Sequence, residues 1–180
     1  MKRIMVTGAS GFVGSALCTE LLHRGHAVVA VVRRIGERVP AVTYIEVDLA
    51  DPASFADGLP QVDCIVHLAG RAHMLDDKAD DPLAVFREVN RDASVRLAEC
   101  ALQAGVKRFV FISSIGVNGN TNTEPFEVDD RPNPVEPYAL SKWEAEQGLW
   151  KVQQETGMEI VIIRPPLVYG PSAPGSFGSL

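Results

Sequence analysis

An α/β fold of three layers, with a mainly parallel sheet between helices, is predicted by three features of this 180-residue sequence. Short apolar runs alternate with amphipathic stretches along the chain. The opening run enters a glycine turn directly, so that Gly8, Gly11 and Gly14 stand where a strand hands over to a helix. The run from Ala27 to Val32 is apolar at every position, as expected for a strand covered on both faces.

Taken in order, Ile4 to Thr7 is the first predicted strand, and Phe12 to Arg24 the helix after it. That helix carries Val13, Leu17, Leu21 and Leu22 on one face and stops at Gly25. Ala27 to Val32 completes a βαβ unit and ends at Arg33 and Arg34. Thr43 to Val47 reads as the third strand, followed by Asp48. Asp51-Pro52 then opens a short helix, with Asp as its cap and Pro at the first position.

Asp63 to Leu68 is the fourth strand, running into Ala69-Gly70 and a polar loop. A second Asp-Pro start, Asp81-Pro82, opens a long helix through Leu83, Phe86, Val89, Val95, Leu97 and Leu102 to Gly105. Arg108 to Ser113 is the fifth strand. Ser114 to Pro137 is polar and long for a compact domain, which marks it as active-site material. Tyr138 to Thr156 is helical up to Gly157, Ile160 to Arg164 is the sixth strand, and Pro165 to Leu180 reads as a connection.

In the opening turn, Gly8 permits a tight bend, Gly11 lets the backbone approach a pyrophosphate, and Gly14 lets the helix pack on the strand. The helix N-terminus would hold the phosphate charge, with Ser10, Phe12 and Val13 completing the candidate contacts. The same glycines could serve a turn that binds nothing. The triplet alone leaves both readings open.

Composition narrows the field. A 46% hydrophobic and 22% charged chain is an ordinary globular one, and 23 acidic against 17 basic residues offer no basic surface for nucleic acid. No run reaches membrane-spanning length and no signal peptide is read, so a cytoplasmic protein is expected. Cys18, Cys64 and Cys100 are odd in number and set in apolar patterns, which suits buried thiols rather than a disulfide or metal framework. None of His23, His26, His67 and His73 has metal-ligand spacing. Three of them read as packing residues, and His73, in the loop after the fourth strand, is the candidate to face a substrate.

Tyr138 and Lys142, in the run YALSK, are four apart on one predicted helix and therefore share a face. A phenol is a poor base near neutrality, and an adjacent ammonium would lower its pKa. Ser114, closing the fifth strand, could donate a hydrogen bond to a substrate oxygen held before the tyrosine. Together the three would make a hydride-transfer site. The pair alone could equally be a solvated tyrosine and a surface lysine.

The order of segments decides between these readings. TGASGFVG, Asp48-Leu49, HLAG at His67 to Gly70, Asn90 opening NRDASVRL, SSIGVNG, YALSK and RPPLVYGP at Arg164 to Pro171 follow one another along the chain. This resembles the extended short-chain dehydrogenase/reductase superfamily, in its NAD(P)-dependent sugar-nucleotide epimerase/dehydratase branch. The resemblance implies a Rossmann-type doubly wound parallel sheet over residues 1–166. It implies that 167–180 begin a connection to a substrate-binding domain largely absent from the chain. It further implies a homodimer built through the long helix and its neighbour, and a nucleoside-diphosphate sugar as substrate.

Residue by residue, the resemblance implies that Ser114, Tyr138 and Lys142 are catalytic, with Lys142 also gripping the nicotinamide ribose. Asp48 and Leu49 would meet the adenine. Leu68, Ala69 and Gly70 would line the adenosine and nicotinamide side. Asn90 would support the site from the long helix, Ile112 would border the cofactor from the fifth strand, and Pro165 and Val168 would pack near the nicotinamide. No metal is implied.

Departures from the pattern sharpen the reading. Ile115 and Gly116 stand where dehydratases carry an Asp-Glu pair, which disfavours dehydration. Asn118 replaces a tyrosine, and Leu167 an asparagine, of many epimerases. RPPLVYGP looks instead like the motif of reductases and of bacterial surface-polysaccharide enzymes. Arg33 and Arg34 would attract a 2′-phosphate, which favours NADP(H) over NAD(H). The expected activity is hydride transfer at C4 of a UDP-sugar, by 4-epimerisation or 4-keto reduction. The alternatives are reduction of a non-sugar ketone, or a non-enzymatic NAD(P) sensor, which would not need Ser114, Tyr138 and Lys142.

Overall fold

A strand that is apolar on both faces needs cover above and below, and the chain supplies it with helices. The computed structural model describes residues 1–72 and 81–170. Six strands, β1 (Arg3–Thr7), β2 (Ala27–Val32), β3 (Val42–Glu46), β4 (Cys64–His67), β5 (Arg108–Ile112) and β6 (Glu159–Ile163), form one sheet in the order β3-β2-β1-β4-β5-β6. Every pairing is parallel. The helices are α1 (Phe12–His23), α2 (Pro82–Phe86), α3 (Ala93–Gln103) and α4 (Pro137–Thr156).

The alternation along β1 and β2 builds two cores. Ile4, Val6, Val28, Ala30 and Val32 face Cys18 and the partly buried Leu17, Leu21 and Leu22 of α1. Met5, Val29, Val31, Ile65, Phe109 and Phe111 face Leu97, Ala98 and Ala101 of α3 and Ala145 and Leu149 of α4. The sheet is thus the middle of three layers, the doubly wound Rossmann-type arrangement. β1 has β2 on one side and β4 on the other. A crevice therefore opens beyond the carboxyl ends of β1 and β4, where such folds bind ligands.

Several expectations are corrected in detail. Asp51-Pro52 opens consecutive turns rather than a helix: Asp51 Oδ1 accepts from Ala53 N at 2.8 Å, and Phe55 (φ 62°) and Gly58 (φ 93°) are left-handed. Phe55 adopts that conformation while packing on the core beside Leu59 and Val62, and the local cap signal is overridden. The long helix is interrupted by a π-helical segment at Arg87–Asp92 between α2 and α3. Val13 is 39% exposed and does not join the packing face of α1. His23 is exposed, whereas His67 is fully buried between the rings of Phe109 and Phe111. Of the cysteines, only Cys18 is fully buried, and all three are free thiols. His73 and residues 171–180 lie outside the described residues. Among the described residues, no helix is long and apolar enough to cross a membrane, and no group of His, Cys, Asp and Glu is arranged to hold a metal.

Candidate active site

The glycine turn leaves β1 and enters α1 at its N-cap, Gly11, whose position carries no side-chain cap. The first-turn N–H groups of Phe12, Val13 and Gly14 are therefore uncapped by any side chain and open to an anion. Gly8 has φ +67°, and a Cβ there would stand 2.7 Å from the backbone nitrogen of Ala69. A Cβ on Gly14 would stand 2.9 Å from Cα of Ala9. Both positions exclude any larger residue, so the turn brings β1, α1 and the loop after β4 into backbone contact. Ser10 is exposed and Phe12 half-buried beside this turn.

Next to it, β2 and β3 end together, because Val47 N donates to the Val32 carbonyl at 2.9 Å. Arg33, Arg34 and Asp48 are exposed there. Asp48 Oδ1 accepts from Ala50 N at 3.0 Å, and Arg96 of α3 donates to the Leu49 carbonyl at 3.1 Å, which holds this loop to the helix layer.

On the other side of the turn, Leu68 and Ala69 are half-buried and Gly70 is exposed. Asn90, fully buried on the π segment, reaches across to them. Its Oδ1 accepts from Arg71 N at 2.8 Å, and its Nδ2 donates to the Arg71 carbonyl at 3.1 Å and to Ser141 Oγ at 3.0 Å. Ser141 Oγ in turn donates to the Tyr138 carbonyl at 2.7 Å. Asn90 thereby fastens the loop after β4 to the first turn of α4.

That turn presents Tyr138 and Lys142. Lys142 is only 3% exposed; its Nζ donates to the Ile112 carbonyl at 2.9 Å and lies 4.6 Å from the centroid of the Phe111 ring. Burial pulls its pKa down to about 8, and the negative charge of Glu146 works the other way. Tyr138 is half-buried, its ring edge-on to Phe86 at 6.0 Å. The expected depression of the phenol is not found: burial raises its pKa above the ordinary value. The spacing places the ammonium on the same face, where Nζ donates to the Ile112 carbonyl, and burial outweighs the interval as the cause of the phenol's shift. Ser114, at the end of β5, caps a short 3₁₀ turn, with its Oγ accepting from Gly116 N at 3.2 Å. Ile115 N donates to the Pro165 carbonyl at 3.0 Å, which brings the Pro165 to Val168 segment beside Ser114.

Residues 4–179 match the NAD dependent epimerase/dehydratase family. The chain belongs to that family. It is 41% identical over 182 residues, 99% of its own length, to a UDP-glucose 4-epimerase of Vibrio cholerae, and 31% identical over 94% of its length to a bifunctional dihydroflavonol 4-reductase/flavanone 4-reductase of Malus domestica. It spans 56% and 55% of the length of those two relatives. Among solved structures, a UDP-glucuronic acid 4-epimerase from Bacillus cereus in complex with NAD superimposes with a TM-score of 0.83 at 25% identity, covering 95% of this chain and 58% of that one.

The residues present fit the dinucleotide of this epimerase/dehydratase family. A turn in which Cβ atoms at Gly8 and Gly14 would collide with backbone, and a helix N-terminus with no side-chain cap, are what a pyrophosphate requires. The sequence-predicted residues fall into two groups toward the carboxyl ends of the strands. Gly8 to Gly14, Arg33, Arg34, Asp48 and Leu49 lie toward β3; Leu68 to Gly70, Asn90, Ile112, Ser114, Tyr138, Lys142, Pro165 and Val168 lie toward β6.

Sequence reasoning missed a second layer of polar residues. Glu146 is fully buried, receiving Ser113 Oγ–H at 2.5 Å and the Arg164 guanidinium at 2.6 Å. Arg164 also donates to Asn118 Oδ1 at 3.0 Å, so Asn118 is committed to this ion pair. The spacing Lys142 to Glu146, one helical turn, was the available signal. Thr7, Ser94 and Ser141 gave none, since buried hydroxyls resemble small apolar residues in a periodic pattern.

Proposed function

We propose that this chain carries the cofactor-binding and proton-transferring machinery of an NAD(P)-dependent enzyme that epimerises a UDP-sugar at C4. The observation that carries the reading is the buried Lys142 and half-buried Tyr138 on one turn of α4, beside Ser114 and the uncapped N-terminus of α1. The 41% identity to a UDP-glucose 4-epimerase supports the choice of substrate class.

When bound, the dinucleotide supplies a hydride acceptor and donor. The remaining work falls to the chain. As the phenolate, Tyr138 would take the proton from the C4 hydroxyl as the C4–H bond breaks, and as the phenol it would return it when the ketone is reduced from the opposite face. Ser114 donates a hydrogen bond to the C4 oxygen throughout. Lys142 would hold a ribose hydroxyl of the cofactor, and its positive charge would favour the Tyr138 phenolate against the burial that raises the phenol's pKa. Arg33 and Arg34, exposed at the end of β2, favour NADP(H) over NAD(H). Pairing of two copies through α3 and α4 belongs to the same reading.

A second reading is reduction of a ketone with net consumption of NADPH. Leu167 stands where the resemblance implies a substrate-binding asparagine, and the Malus domestica relative is named as a reductase. Product analysis separates the two. Incubating the protein with UDP-glucose and catalytic cofactor yields UDP-galactose without net cofactor turnover if it is an epimerase. Stoichiometric oxidation of NADPH by a keto substrate, with no epimer formed from UDP-glucose, would establish the reductase.

A further inference from the structure

His67, on β4, takes no part in the reaction just described, yet it is fully buried and hydrogen-bonded at both ring nitrogens. Nδ1 lies 2.6 Å from Thr7 Oγ1 and Nε2 lies 2.9 Å from Ser94 Oγ. The neighbours settle which nitrogen holds the proton. Ser94 Oγ is 2.6 Å from the Asn90 carbonyl, an oxygen that can only accept, so the single Ser94 proton is committed there. Ser94 must then accept from the ring, which places the proton on Nε2. Nδ1 is left as an acceptor, and Thr7 Oγ1 donates to it while accepting from Ala69 N at 3.2 Å. Each donor of this relay, from Ala69 N through Thr7 and His67 to Ser94, has one acceptor, and the direction is the same throughout.

The two arms end in places that matter. Thr7 and Ala69 border the glycine turn, Ala69 being the residue that a Cβ on Gly8 would strike. Asn90 ties the Arg71 backbone to Ser141, whose hydroxyl binds the Tyr138 carbonyl. We propose that His67 is a positioning residue: a neutral imidazole protonated on Nε2 that joins the nucleotide turn to Asn90, and through Asn90 and Ser141 sets the backbone carrying Tyr138. The role rests on the catalytic reading of Tyr138. A second cation could not be accommodated here, because Lys142 of α4 is the charged group acting on the ring. Burial and that charge together bring the His67 pKa down to about 3. The π segment serves the same end, since it holds Asn90 within reach of both Arg71 and Ser141.

The test begins with ring-nitrogen NMR of histidine-labelled protein. The expected spectrum shows His67 protonated on Nε2, bare on Nδ1, and unchanged from about pH 5 to 8. Titration within that range, or a proton on Nδ1, would overturn the proposal. Thr7→Val removes the hydroxyl while keeping the shape of the side chain, and Thr7→Ser restores it. In Thr7→Val the backbone amide resonances of Asn90 and Ser141 shift, although neither residue touches Thr7, and Thr7→Ser returns them. Should Thr7→Val fail to fold, Ser94→Ala is read in the same way at Ala69. Resonances that stay in place at the far end of the chain contradict the relay. With UDP-glucose as substrate, Thr7→Val lowers kcat about tenfold, with KM within about twofold, and Thr7→Ser recovers it; an equal change in kcat and KM, or no recovery, counts against positioning. If the unaltered protein turns over no UDP-sugar, the proposed function fails, and the NMR measurements still decide the role of His67.

Discussion

The Lys142 ammonium lies 4.6 Å from the centroid of the Phe111 ring, over an aromatic face that is itself fully buried. The contact offsets part of the cost of placing a cation in the core, together with the hydrogen bond to the Ile112 carbonyl. It does not offset all of it, as the lowered pKa of Lys142 records. A charge kept in an expensive place without a full counter-ion fits the role proposed for Lys142.

Stability should therefore improve when the charge is removed. Below pH 8 the lysine is protonated in both folded and unfolded chains, and the folded state bears the burial cost. Between about 8 and its ordinary value of 10.5, the unfolded chain holds a proton that the folded one has lost, so stability rises with pH. Lys142→Met is predicted to raise unfolding free energy at pH 7 by about 1 to 3 kcal/mol. The advantage shrinks across that window, and urea titrations at pH 7, 9 and 10.5 measure it.

Glu146 should behave in the opposite way. Glu146→Ala leaves Arg164 facing a buried space and deprives Ser113 of its acceptor, with a predicted loss of about 3 to 5 kcal/mol in urea unfolding. Glu146→Gln keeps the acceptor for Ser113 and should lose less.

Gly8→Ala meets two obstacles, a left-handed φ and a Cβ 2.7 Å from Ala69 N. Destabilisation of about 1 to 3 kcal/mol is predicted. The dissociation constant for NAD(P) should rise at least about tenfold, as calorimetry would read it.

Cofactor choice is tested at the end of β2. Replacing Arg33 and Arg34 together by Ser should weaken NADP(H) binding about tenfold or more while changing NAD(H) binding about twofold or less. Tighter binding of NAD(H) than NADP(H) by the unaltered protein would reverse the preference.

The sheet, the glycine turn and the helix bearing Tyr138 were legible because each rests on local pattern: apolar runs, glycine spacing, and a four-residue interval. What was not legible depends on neighbours distant in sequence. An α and a π turn draw on the same residues, and Asn90 is held inward by Arg71 and Ser141, which no spacing reveals. The helix expected after Asp51 gave way to burial of Phe55, and the direction of the Tyr138 shift was set by burial rather than by its interval from Lys142. Glu146 could have been found from the helical repeat.

The central claim is that Tyr138 transfers the proton in an NAD(P)-dependent reaction at C4 of a UDP-sugar. It is tested most directly by comparing turnover of UDP-glucose by the unaltered protein and by Tyr138→Phe, with folding and cofactor affinity measured alongside. The expected result is a loss of at least about a hundredfold in kcat with the fold and cofactor binding retained. Turnover unchanged by Tyr138→Phe would contradict it.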